Sequence, residues 1–124
     1  MKPYVFICAA LIAADQLAKH VLSTPSWGSD PRGFATPRIV LGIGSCLLFI
    51  AYPPIRLAGT IMLAGLASNI VSASHGSVPN PFVIGNMAFN PADTMLLAGF
   101  IIMVASIPRV FRDMRQRGLE RGWK

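Results

Sequence analysis

The chain has 124 residues, 53% of them hydrophobic and only 13% charged, and 11 Lys or Arg against 5 Asp or Glu give a formal net charge of +6. Its mean hydropathy is +0.55. Soluble domains carry about 25% charged residues. A chain this small with half that share has too little polar surface to cover itself, which excludes an ordinary soluble enzyme, a disordered tail and a nucleic-acid module. A small integral membrane protein remains.

Four apolar runs follow one another along the chain. The first is Tyr4 to Leu22. Lys2, this run and the small pair Ala13-Ala14 also fit a signal peptide. The residues just after that pair carry a polar signal of their own, which favours a retained span. A loop rich in Ser, Gly and Pro follows, from Ser23 to Pro37. The second run, Ile39 to Tyr52, is short against the roughly 17 to 25 residues of a full span. A tight turn, Tyr52-Pro53-Pro54-Ile55-Arg56, leads into the third run, Ile55 to Ser74. A second Ser/Gly/Pro-rich loop, Ser74 to Pro91, precedes the fourth and again short run, Ala92 to Ile107. A basic tail over 108–124 closes the chain.

This pattern predicts an all-α membrane protein of one domain, with four transmembrane helices joined by irregular outer loops that hold short extended pieces. A two-span alternative would bury the short runs in protein. Arg109, Arg112, Arg115, Arg117, Arg121 and Lys124 form the strongest basic cluster, so the positive-inside rule places the C-terminus in the cytoplasm. Four spans then bring the N-terminus and Arg56 inside as well, with Arg32 and Arg38 outside. A basic juxtamembrane cluster of this kind reads as a stop-transfer signal and an anionic-lipid contact rather than a nucleic-acid patch. Cys8 and Cys46 sit inside apolar runs as simple fillers. No Cys/His spacing suggests a metal, and no cofactor is implied.

Polar and ionisable residues inside spans are costly and mark functional sites. Here they fall at one depth. Asp15 and Lys19 end the first run, Asn69 and Ser72 end the third, and Asn90 and Asp93 open the fourth. Alternating helix directions bring all three groups to the outer face. Each has a plain structural role. Asp15 and Lys19, spaced i, i+4 with the acid first, make a favourable helical ion pair. Asn69 suits interhelical hydrogen bonding. Asn90 before Pro91 makes an N-cap with Pro at the first helical position, and Asp93 complements the helix dipole. Their common depth gives the group a significance that its members lack singly.

Asp15-Gln16-Leu17-Ala18-Lys19 resembles the DQxxK motif of the signal peptidase II (lipoprotein signal peptidase) family. Phe89-Asn90-Pro91-Ala92-Asp93-Thr94 is similar to its FNxAD(S/T) motif, and Ala64-Gly65-Leu66-Ala67-Ser68-Asn69 to its GGxxxN segment. The resemblance touches nearly the whole chain. It implies an intramembrane aspartic endopeptidase of the cell membrane that removes signal peptides from diacylglyceryl-modified prolipoproteins, with lipid and lipidated precursor as partners and no cofactor. It makes Asp93 a catalytic aspartate and Asp15, Lys19, Asn69 and Asn90 the residues that organise the site. The partner aspartate is expected in a segment G-x-V-x-D-F. The nearest match is Gly76-Ser77-Val78-Pro79-Asn80-Pro81-Phe82, where Asn80 holds the aspartate position.

The dyad mechanism needs one carboxylate ionised as base and the other protonated as acid. An Asn amide supplies neither. The family's NxxDR pattern is also changed, with Ser72 and Ala73 in its last two positions. Three readings therefore stand: a divergent peptidase, a non-catalytic relative that binds lipoprotein, lipid or a larger membrane complex, and an unrelated small membrane subunit.

Overall fold

A computed structural model describes residues 2–22, 42–46, 52–75, 78, 80–85 and 87–120. No Gly or Pro interrupts the chain from Tyr4 to Leu22, and one helix, α1, spans Lys2–Leu22. Pro3 lies in its first turn, where a missing N–H breaks no helical bond. Of the second apolar run, residues 42–46 are described, and they are helical (α2). The rest of that run, apart from Tyr52, lies outside the described residues.

The third helix, α3, spans Pro53–Ser74. Tyr52 caps it in an extended conformation and offers no side-chain bond. Pro53 and Pro54 compensate, because two of the four N–H groups left without a partner at a helix start are absent. At the other end the His75 N–H donates to Ser72 O at 3.1 Å. The fourth helix, α4, spans Pro91–Glu120, so residues 108–120 of the expected tail continue the helix. Pro108 removes one backbone donor, but the Arg-rich stretch after it, with Met114, Gln116 and Leu119 among its residues, supplies good helix formers and carries the helix on. At 30 residues the helix is about 45 Å long, against a hydrocarbon core of about 30 Å.

The three long helices form one layered bundle with α3 in the middle. Tyr4 lies by Arg56, Asp15 by Ser68 and Lys19 by Ser72, so α1 and α3 run parallel. Helix α4 runs antiparallel to α3, with Ala92 against Gly65 and Gly99 against Ala58 and Met62. A Cβ at Gly65 would fall 2.5 Å from the Ala92 carbonyl oxygen, and one at Gly99 would fall 2.8 Å from that of Ala58. These two glycines are what let the helices approach so closely. The buried apolar core is small: Ile55, Ala58, Met62, Ala64, Leu66 and Ala92.

Half of the apolar stretch of α3 is buried, against 11% for each of α1 and α4. The outer faces of those two helices present Phe6, Leu17, Val21, Phe100, Ile101 and Phe111. All three helices are long and apolar enough to cross a membrane, and apolar faces of this extent mark contact with something other than water.

Between α3 and α4 lies a two-stranded antiparallel hairpin, β1 (Phe82–Ile84) and β2 (Met87–Phe89), with Phe82 opposite Phe89 and Ile84 opposite Met87. That register leaves a two-residue turn, and Gly85 begins it at φ 60°, the conformation that tight hairpin turns demand. The Phe82 and Phe89 rings meet at 5.6 Å.

Candidate functional site

The start of α4 fixes the site's geometry. Asn90 is the N-cap residue. Its side-chain oxygen accepts from the Asp93 N–H at 3.0 Å, and Asp93 Oδ2 accepts from the Asn90 N–H at 3.1 Å. This reciprocal pair satisfies two donors that a helix start leaves open. Both plain roles expected of Asn90 and Asp93 are thus present.

The cap is tied to the other two elements. Asn69, one turn before the end of α3, donates from its amide to Asp93 Oδ1 at 3.1 Å. Its own oxygen accepts from Lys19 Nζ at 2.9 Å. Asn80 accepts through its side-chain oxygen from the Asn90 amide at 2.9 Å. Asn80 is therefore one residue removed from Asp93, and no hydrogen bond joins the two among the described residues.

Asp15 and Lys19 form the buried base of the cluster. Their ion pair is 2.7 Å long, with side chains 0% and 4% exposed. Lys19 does not reach for solvent; it also donates to Ser72 Oγ at 3.2 Å. Asp15 accepts on Oδ2 from the Ser68 hydroxyl and on Oδ1 from the Ala92 backbone N–H at 2.9 Å. That last bond spans from α1 to the first turn of α4, where a carboxylate is favoured by the helix dipole. Gln16 reinforces the seam, donating to Ser68 O at 3.0 Å and to the hydroxyls of Ser68 at 2.7 Å and Ser72 at 3.1 Å. No buried side-chain N or O among the described residues lacks a partner.

All seven polar residues singled out in the sequence, Asp15, Lys19, Asn69, Ser72, Asn80, Asn90 and Asp93, thus belong to one connected network. Sequence reasoning missed Gln16 and Ser68 as network members and the Ala92 N–H as a ligand of Asp15. The i, i+4 spacing of Ser68 and Ser72 was an available signal, because it puts two small hydroxyls on one face of α3.

The carboxylates differ in what they can do. Asp15 is enclosed and engaged on both oxygens. Asp93 is half-buried and each of its oxygens accepts one hydrogen bond, so lone pairs remain for a water or a substrate group. Asp113 and Glu120 lie 20 and 27 residues further along α4, about 30 and 40 Å away. Among the described residues, no group of three or more His, Cys, Asp or Glu could hold a metal ion. No family model, curated protein or solved structure matches this chain.

Proposed function

We propose that this chain is a four-span membrane protein built on the signal-peptidase-II plan, and that it holds a lipid-modified polypeptide or lipid at its outer face without cleaving it. The observation that carries this reading is the distribution of acids around Asp93. A dyad needs a second carboxylate with a proton to share. Asp15 is committed to Lys19, Ser68 and Ala92, and the neighbouring position is filled by the Asn80 amide, held by Asn90.

The parallel run of α1 and α3 supports four spans. If both cross the membrane, the chain leaves α1 at one face and enters α3 at the other. The 30 residues between Leu22 and Pro53 must then cross too, and α2 lies in that stretch. The basic residues after Pro108 support a cytoplasmic C-terminus and a cell-membrane location with both termini inside. The exposed Phe82, Val83 and Ile84 of the hairpin offer an apolar contact for an acyl chain beside the polar cluster.

A second reading, active cleavage, is favoured by the half-buried Asp93 with its open lone pairs. It requires another acid, and Asp30, in the first outer loop and outside the described residues, is the remaining one in the sequence. The test reconstitutes the protein with a diacylglyceryl-modified prolipoprotein and measures retention and cleavage separately. Retention without cleavage is expected. Cleavage abolished by both Asp93→Asn and Asp30→Asn establishes the second reading instead.

A further inference from the structure

At the end of the bundle opposite the polar cluster, residues of α1 and α3 line a cavity of about 310 Å³. It is lined by Tyr4, Cys8, Ala9, Ile12, Arg56 and Leu63, among others, and its walls are almost wholly apolar. The volume is at the lower end of the range of small-molecule and cofactor sites, about 300 to 1,000 Å³. Such an apolar cavity between membrane helices fits a flexible hydrocarbon chain better than a rigid polar ligand.

What stands at its mouth decides the occupant. The Arg56 guanidinium lies 5.6 Å from the Tyr4 ring centroid, a cation–π distance that orients the charge at the rim. Arg56 is in the first turn of α3 and Tyr4 in the first turn of α1. Both are therefore at headgroup depth if the helices span. Lys2 lies two residues before Tyr4, and the parallel run of α1 and α3 puts both positive helix ends at this same face. Arg56 is about 18 Å along α3 from Ser68, so this is a separate site from the polar cluster.

We propose that this groove binds an anionic phospholipid of the adjacent leaflet, with one acyl chain between α1 and α3 and the phosphate at Arg56. The charge at the rim selects the headgroup, and the apolar walls hold the chain. Basic residues near helix ends attract anionic lipids in general; here the cavity adds a defined seat. The inference shares the membrane reading with the proposed function but none of its peptidase part.

The test offers the full-length protein, in micelles, equal amounts of dioleoyl-phosphatidylglycerol and dioleoyl-phosphatidylcholine, and reads the retained lipid by native mass spectrometry. About fivefold preference for phosphatidylglycerol is expected from one basic side chain at the headgroup. Arg56→Gln should bring the preference close to parity, and Ala9→Phe, which fills the groove, should reduce retention of both lipids. Equal retention of the two lipids by the wild type overturns the proposal. So does a preference that survives Arg56→Gln, or retention that survives Ala9→Phe, in variants whose helix content matches the wild type. None of these outcomes depends on whether a prolipoprotein is bound or cut.

Discussion

Replacing Lys19 by Met tests whether the polar cluster is an enclosed network. The substitution keeps a long, unbranched side chain and removes the charge. It leaves Asp15 without its ion-pair partner and Asn69 Oδ1 without its donor, while Ser72 keeps its bonds to Gln16 and Ser68. Breaking a buried pair from one side costs about 3 to 5 kcal/mol, because a charge is left uncompensated. Asp15 retains Ser68 and the Ala92 N–H, which points to the lower half of that range. The assay is reversible unfolding in mixed micelles, applied to Lys19→Met, Asp15→Asn and the double variant. The double variant should cost well under the sum of the singles, since no lone charge remains in it. A loss below about 1 kcal/mol for Lys19→Met, the size of an exposed pair, would refute the enclosed network.

Three further outcomes follow from local geometry. Gly65→Ala drives a Cβ against the Ala92 carbonyl and should cost about 1 to 3 kcal/mol as overpacking, seen in the same unfolding assay; an unchanged midpoint would contradict the close approach of α3 and α4. Asn90→Ala removes the cap of α4 and the partner of Asn80 together and should cost about 0.5 to 2 kcal/mol, whereas Asn90→Ser, which restores the cap alone, should recover part of it. A Cβ at Gly85 meets no atom within 4 Å, so the cost of Gly85→Ala, about 1 to 2 kcal/mol, comes from the positive φ alone; it should increase protease cutting in the hairpin without altering helix content.

The sequence and the structure agree most closely where a signal is local. Helices α1 and α3 are legible as apolar runs, the ion pair as an i, i+4 spacing, and the cap of α4 as Asn-Pro followed by an acid. Hydropathy is blind to the continuation of α4 past Ile107, because helix propensity rather than apolarity carries the chain across Pro108. The role of Ser68 depends on how α1 and α3 are rotated about their axes, and no single helix encodes that. The apolar groove is hidden for the same reason: Tyr4 and Arg56 lie 52 residues apart and meet only because the two helices run parallel. Asn80 is the instructive case. Its place in the motif predicts that it lies near Asp93, and it does lie in the same network, but through Asn90.

The central claim is a peptidase-like scaffold with one acid missing, and the direct measurement is cleavage of a diacylglyceryl-modified prolipoprotein by wild type, Asn80→Asp and Asn80→Asp/Asp93→Asn in reconstituted membranes. An Asp at position 80 keeps the oxygen that accepts from Asn90, so the network tolerates the exchange. The account predicts a silent wild type, cleavage gained in Asn80→Asp, and its loss again in the double variant. Cleavage by the wild type, or silence from Asn80→Asp in a folded protein that still retains the precursor, would contradict it.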